Sequence, residues 1–137
     1  MTAVLVDSNV LLDVATNDRT WATWSANATA TAADRFRLVI NAVIYGEVSL
    51  RYSRIEDLDM ALPEAMFERE DLPYKAAFLA GKVFRTYRER GGPRHSLLPD
   101  FLIGAHAAVA GYQLLTRDVA RYRTYYPRLR LIAPDYC

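Results

Sequence analysis

Short apolar runs alternate with longer amphipathic stretches along the 137 residues of the chain. The runs at residues 3–6, 38–40, 113–116 and 129–132 predict buried strands. The stretches between them predict helices at residues 10–14, 20–36, 43–50, 55–66, 72–90 and 101–111. Pro63 leaves open a division of the helix at 55–66 into two short pieces. Strands that alternate with helices in this way predict an α/β fold, in which helices cover a parallel sheet. The sequence shows no linker and no internal repeat, so we expect one domain over residues 1–137.

The composition is that of a globular protein, with 52% hydrophobic and 24% charged residues. No apolar run approaches the roughly 20 residues that span a bilayer, so we expect no membrane insertion. The start of the chain lacks the basic segment of a signal peptide, and the sole cysteine is Cys137. These features predict a cytoplasmic protein without an internal disulfide, and they exclude a cysteine-based zinc site.

The net charge of +1 hides a difference between the two parts of the chain. Residues 1–72 carry a balance of −6, whereas residues 73–137 carry +7. The bases of the second part are concentrated at residues 75–94 and 117–130. They would attract a polyanion if they share one face, and the alternative is a solvated helix surface.

Three of four candidate acidic residues stand where a predicted strand meets a helix or where a helix begins, and the fourth lies further along its helix. Asp7 ends the first strand, Asp100 begins the helix that leads to the third strand, and Asp118 directly follows that strand. Glu47 lies in the helix after the second strand, and its long side chain can project back toward the start of that helix. Because sites in open parallel sheets form outside the carboxyl ends of the strands, we expect the four to converge.

Carboxylates that share a small space repel one another, and one of them must then hold a proton. A divalent cation removes this penalty, and Mg²⁺ and Mn²⁺ both prefer oxygen ligands. Such a cation can polarise a phosphoryl oxygen and lower the pKa of a bound water. A carboxylate that does not bind the metal directly can position or deprotonate the attacking water.

Each acid also has an ordinary structural interpretation. Asp7, Asp100 and Asp118 are suitable N-cap residues, and each would then contribute about 1 kcal/mol to a helix. Glu47 is open to interpretation as an exposed helix residue. The joint pattern therefore carries more weight than any single member.

Four motifs contain these acids, and together they span nearly the whole chain. The first is LVDSNVLLD at residues 5–13, and the second is VINAVIYGEVS at residues 39–49. The third is LPDFLIGAHA at residues 98–107, and the fourth is LLTRD at 114–118 followed by YRTYYP at 122–127. In this order and at these spacings they make the chain resemble the PIN-domain ribonucleases of the VapC type, the toxin half of VapBC toxin–antitoxin pairs.

The resemblance implies a single PIN domain, a three-layer α/β/α sandwich with about four to five parallel strands. It also implies Mg²⁺- or Mn²⁺-dependent cleavage of RNA, with Asp7 and Asp100 as the principal metal ligands. Glu47 and Asp118 would complete the acidic cluster, as ligands directly or through water. Further implications are supporting polar roles for Asn9 and Thr116, a homodimer, and a small VapB-type antitoxin that inserts a peptide into the active-site groove.

Several basic and aromatic residues are candidates for contacts with RNA or the antitoxin. Arg117 has a phosphate-binding interpretation and, equally, that of an exposed arginine at a helix start. The basic candidates are Arg94, Arg117, Arg121 and Arg123. Tyr122, Tyr125 and Tyr126 could stack on unpaired bases, although packing is the favoured interpretation.

Three further polar residues near the motifs receive weaker functional interpretations. His95 lies in the loop before the third motif, where a solvated histidine is the favoured interpretation over a substrate contact. His106 is interpreted as a packing or interface residue and not as a metal ligand. Asp13 lies six residues after Asp7, on another part of the helix, which favours a structural role.

Two other functions remain as alternatives. The first is a non-catalytic RNA- or protein-binding module, in which the basic part of the chain acts and the acids only cap helices. The second is a metal-dependent phosphatase or receiver domain on a related sheet. The chain lacks the Asp-x-Asp pair after the first strand and the glycine-rich nucleotide signatures, which argues against the second alternative.

Overall fold

The computed structural model describes residues 3–92 and 98–134, which form five strands and seven helices. The strands are β1 (Ala3–Val6), β2 (Arg37–Ile40), β3 (Phe67–Arg69), β4 (Gln113–Leu115) and β5 (Leu131–Ile132). The helices are α1 (Ser8–Ala15), α2 (Ala22–Arg35), α3 (Ala42–Ser49), α4 (Ile55–Ala61), α5 (Tyr74–Glu89), α6 (Leu98–Ala110) and α7 (Val119–Tyr125). None of the helices in these two ranges is long and apolar enough to cross a membrane.

The strands form one parallel sheet in the order β3-β2-β1-β4-β5. β1 lies at the centre, where Leu5 is paired with Val39 of β2 and with Leu114 of β4. Successive strand side chains point to opposite faces, and all four residues of β1 are fully buried. Both faces of the sheet are therefore covered, which confirms the expected α/β/α arrangement.

Helix α6 packs against α5 and against the end of α7. The ring of Tyr87 in α5 lies 5.4 Å from that of Phe101 in α6. The Tyr126 hydroxyl, just after α7, donates a 2.7 Å hydrogen bond to the Phe101 carbonyl oxygen. Gly104 permits this approach, because a Cβ atom there would lie 2.5 Å from the Tyr126 ring. The close packing brings the first turn of α6 beside α7.

The predicted strands correspond to β1, β2, β4 and β5, and β5 is shorter than predicted. The sequence does not predict β3, because two of its three residues, Glu68 and Arg69, are exposed at the sheet edge. It therefore lacks the apolar run of a buried strand. A continuous helix over residues 55–66 is wrong, and the expected interruption at Pro63 is closer to the structure. α4 ends at Ala61, two residues before Pro63, because proline disfavours helical backbone at the residue before it. Residues 64–66 form a turn and not a second helical piece.

Candidate active site

The order of the strands creates a crevice beside β1. The chain moves from β1 to β2 and β3 on one side of the sheet, and β4 and β5 lie on the other side. In open α/β sheets, the carboxyl ends of the strands at such a reversal flank a cleft. Asp7 follows β1 and Thr116 follows β4, and a hydrogen bond from the Asp7 amide to the Leu115 carbonyl, 2.9 Å long, joins the two ends.

Asp7 is buried, and donors surround its carboxylate. Its Oδ2 atom accepts hydrogen bonds from Thr116 Oγ1 at 2.8 Å, Tyr122 Oη at 3.1 Å and Asn9 Nδ2 at 3.3 Å. Burial nevertheless raises the pKa of Asp7 from 3.8 to about 6, and the charge of Glu47 adds to this rise. The side chain of Asp7 makes no helix-capping hydrogen bond, so the simple N-cap interpretation of this residue is wrong.

Glu47 is connected to Asp7 through Ser8. The Ser8 hydroxyl lies 2.7 Å from Glu47 Oε1 and 3.5 Å from Asp7 Oδ1, so its one proton is directed at Glu47. Asn41 caps α3, since its Oδ1 atom accepts a 2.9 Å hydrogen bond from the Ile44 amide. This cap fixes where the helix that carries Glu47 begins.

Asp100 and Asp118 meet at one arginine. A guanidinium nitrogen of Arg121, Nη1, contacts Asp100 Oδ2 and lies 3.1 Å from Asp118 Oδ2. Burial raises the pKa of Asp100 to about 6, Arg121 opposes the rise, and Asp7, Glu47 and Asp118 add to it. The structure thus brings Asp100 close enough to the other three acids to be repelled by each of them. Asp118 also serves as the N-cap of α7, accepting from the Arg121 amide at 3.4 Å.

Thr116 and Asn9 lie between the acids. The Thr116 hydroxyl donates to Asp7 and accepts a 3.0 Å hydrogen bond from the Asp118 amide. Asn9 Nδ2 lies 3.2 Å from Thr116 Oγ1 as well as close to Asp7. One hydroxyl therefore determines where the carboxylate after β1 lies relative to the turn after β4.

Arg117 is engaged away from these acids. Its Nε and Nη2 atoms form a bidentate pair with Asp13, at 2.7 and 2.9 Å, and its guanidinium stacks over Trp21. Asp13 is buried and also accepts from Ser25 Oγ at 2.8 Å, which agrees with the structural role expected for it. Arg123 is exposed on α7. Arg94 and His95 lie outside the described residues.

The sequence reasoning missed three contributors to this site. Ser8 connects Asp7 and Glu47. Tyr122 donates to Asp7, whereas the sequence favours a packing role for it. Arg121 pairs with two of the acids, whereas the sequence makes it a candidate for RNA contacts. Ser8 is next to the first acid, and Arg121 follows the fourth by one helical turn. Their closeness to the acids along the chain is therefore the feature of the sequence that points to a role in the site.

His106 of α6 is fully buried, and it contacts side chains that directly follow β2 and β3. Its Nδ1 lies 2.9 Å from Asn41 Nδ2, and its Nε2 lies 3.4 Å from Glu70 Oε1. Because the Asn41 oxygen already accepts from a backbone amide, its NH₂ group must donate to Nδ1. This assigns the neutral Nε2–H form, and burial lowers the pKa of His106. His106 is thus a packing residue, as expected.

Comparison with known proteins identifies both a family and a fold. The family model described as "PIN domain" matches residues 4–125. A chain in the crystal structure of VapBC2 from Rickettsia felis, bound to a DNA fragment from their promoter, superposes with a TM-score of 0.73 at 17% identity, covering 98% of this chain and 100% of that one. A chain of VapBC-1 from nontypeable Haemophilus influenzae superposes with a TM-score of 0.71 at 18% identity, and the match covers 96% of this chain and 98% of that one. A chain of a toxin–antitoxin complex from Klebsiella pneumoniae superposes with a TM-score of 0.64 at 19% identity, and the match covers 98% of this chain and 99% of that one. Curated proteins give no significant match.

Proposed function

The chain belongs to the PIN domain family, and on that premise we propose that it is a divalent-metal-dependent endoribonuclease, the toxin of a VapBC-type pair. The observation that carries this proposal is the convergence of Asp7, Glu47, Asp100 and Asp118 at the crevice beside β1. Two of them, Asp7 and Asp100, have pKa values raised to about 6 by burial and by the other acids. Helix capping alone does not account for buried carboxylates that repel one another.

The donor set of the site fits Mg²⁺ or Mn²⁺. All four acids offer carboxylate oxygens, which are the ligands that these hard cations take, and a 2+ charge would offset the mutual repulsion. Asp7 and Asp100 would hold the cation directly, while Glu47 and Asp118 would hold it directly or through water. When bound, the metal would supply Lewis acidity toward a phosphoryl oxygen and a lower pKa for the attacking water.

The protein groups around the acids prepare them for this role. Thr116, Tyr122 and Asn9 all donate to one oxygen of Asp7, which holds the carboxylate in one orientation and favours its ionised form. Ser8 holds Glu47 by one oxygen. Whichever carboxylate stays outside direct metal coordination would accept the proton of the attacking water. Hydrolysis would then form a bond between the water oxygen and phosphorus and break one bond between phosphorus and a ribose oxygen, and that leaving oxygen would take a proton from solvent.

The proposed substrate is RNA, approached from the basic part of the chain. The candidate contacts to its phosphates are Arg94, Arg117, Arg121 and Arg123. Arg123 is exposed on the helix that begins beside the site. Arg117 would have to leave Asp13, or would act by holding the turn that carries Asp118. Phosphate contacts of this kind make affinity fall as the salt concentration rises.

A protein partner is supported by an apolar groove between α1, α2, α3 and α4. The groove has a volume of about 300 Å³, and its lining includes Leu11, Val48 and Leu62 together with the exposed Val14 and Met66. Grooves of this kind accept the apolar face of an amphipathic segment. We assign this partner to a VapB-type antitoxin, in a cytoplasmic complex that also contains a second copy of the toxin.

Cleavage of RNA by the purified protein tests the proposal. Cleavage should require Mg²⁺ or Mn²⁺, cease in excess chelator, and cease in Asp7→Asn and Asp100→Asn. Asp34→Asn, which changes an exposed acid of α2, is the matched control and should cleave normally. Full cleavage in chelator, or by both site variants, would rule out the metal mechanism. Metal binding can be measured separately from cleavage. Mn²⁺ at a concentration of about 100 times its Kd should raise the free energy of unfolding by about 2.7 kcal/mol.

A further inference from the structure

Arg121 lies where two of the four acids meet. Asp100 comes from the first turn of α6 and Asp118 from the start of α7, and one nitrogen of Arg121 contacts both carboxylates. The two acids are about a fifth and a third exposed, and Arg121 is about a third exposed. The contact therefore joins two helices at the edge of the site and keeps a path to solvent.

Each of the four acids is turned toward a group of the chain itself. Asp7 faces Thr116 and Tyr122, Glu47 faces Ser8, and Asp100 and Asp118 face Arg121. Over residues 3–92 and 98–134, no three side chains among His, Cys, Asp and Glu are arranged to hold a metal ion. The acids are thus neighbours without forming a ready set of ligands.

We propose that Arg121 is a positioning residue that acts as an internal counter-cation. Its Nη1 atom lies between Asp100 and Asp118 and contacts Oδ2 of each, so a divalent ion that binds these two oxygens must displace it. This inference rests on the proposed metal-dependent function, and it deepens that function by adding a residue that competes with the metal.

The physical reason lies in the charges of the acids. Asp7, Glu47 and Asp118 all repel the charge of Asp100, and a fixed positive charge beside Asp100 lowers that cost. Arginine suits this position because its guanidinium stays protonated and is more weakly hydrated than an ammonium group. The same attraction opposes the metal, since a guanidinium and a divalent ion cannot occupy one set of carboxylate oxygens. Arg121 therefore keeps the site assembled and makes metal binding weaker than the acids alone would allow.

Calorimetric titration with Mn²⁺ alone tests this directly. Arg121→Met removes the charge and keeps an unbranched apolar side chain, and Arg128→Met, which removes an exposed charge just after the same helix, is the matched control. We expect Mn²⁺ to bind Arg121→Met roughly tenfold more tightly than wild type, which corresponds to about 1.4 kcal/mol. Arg128→Met should match wild type. Arg121→Lys keeps the charge, and its affinity should lie closer to wild type than to the methionine variant.

The outcomes separate this inference from the proposed function. If wild type binds Mn²⁺ and Arg121→Met binds it no more tightly, or if Arg128→Met shows an equal gain in affinity, the role of Arg121 is overturned and the metal site stands. Failure of every protein to bind Mn²⁺ would overturn both. If Arg121→Met folds poorly, NMR of the wild-type protein provides a second test. The Nε–H resonance of Arg121 is assigned by its absence from the spectrum of Arg121→Lys. Saturating Mg²⁺ should shift it, and an unchanged resonance would refute displacement.

Discussion

Replacement of Asp7 by asparagine should make the metal-free protein more stable, even though it should abolish activity. Asp7 is 2% exposed, and burial raises its pKa from 3.8 to about 6. At pH 7.5 the folded protein thus carries a buried negative charge that the unfolded chain exposes to water. Asparagine has nearly the same shape and removes that charge.

The hydrogen bonds around Asp7 tolerate the change. Thr116, Tyr122 and Asn9 all donate to Oδ2, and an amide oxygen in that position accepts the same bonds. The new NH₂ group would replace Oδ1 and face the Ser8 hydroxyl. Ser8 donates its own proton to Glu47, so its oxygen is able to accept from the amide.

The raised pKa gives the size of the effect and its dependence on pH. One pKa unit corresponds to about 1.4 kcal/mol, so ionisation of Asp7 costs the folded state at most about 3 kcal/mol. Because the folded pKa is raised, the stability gained by protonation is fully present below 3.8 and is lost as the pH rises through about 6. The advantage of Asp7→Asn should therefore be about 2 kcal/mol at pH 7.5 and should shrink by roughly half at pH 5.

Urea unfolding in excess chelator, followed by the fluorescence of Trp21 and Trp24, measures this difference. Wild type, Asp7→Asn and the exposed control Asp34→Asn should be compared at pH 7.5 and pH 5. Asp34→Asn should match wild type at pH 7.5. A variant Asp7→Asn that is no more stable than wild type at pH 7.5, or whose advantage is the same at both pH values, would refute the reasoning.

Three further variants test other contacts. Tyr122→Phe removes a donor to Asp7, so the pKa of Asp7 should rise further and Mn²⁺ affinity should fall more at pH 6 than at pH 8; titration calorimetry at both pH values checks this. Burial lowers the pKa of His106 from 6.5, so its contribution to stability is present above pH 6.5 and is lost as the pH falls; the unfolding free energy of wild type relative to His106→Gln should decline below that pH. Gly104→Ala places a Cβ atom 2.5 Å from the Tyr126 ring, and urea unfolding should show a loss of about 1–3 kcal/mol.

Much of the architecture follows from local patterns. The apolar runs at β1, β2 and β4 are buried on both faces of a central sheet, so period and composition identify them without a structure. β3 is different because Glu68 and Arg69 are exposed, and only its pairing with β2 makes it a strand. An edge strand with a polar surface carries no apolar run, so it is visible only once its neighbour is in place.

Asp7, Asp100 and Asp118 were predicted from the sequence because each stands at a strand end or a helix start, and parallel strands bring such positions to one edge. Glu47 lies further along its helix, so its place with the other three depended on the reach of its long side chain and on the family resemblance of the four motifs. What each of them contacts was not predictable in the same way. The Asp7 carboxylate faces Thr116 at a sequence separation of 109 residues, and no local rule connects the two.

The arginines show the same division most clearly. The sequence established that Arg117 and Arg121 carry fixed positive charges beside the fourth acid, and it left contacts to a polyanion and a solvated surface both open. Tertiary packing gave them protein partners: Arg117 pairs with the buried Asp13, and Arg121 joins Asp100 to Asp118. A long flexible side chain takes the partner that folding brings within reach, so its charge can be read from the sequence, whereas its partner depends on how α1, α6 and α7 pack.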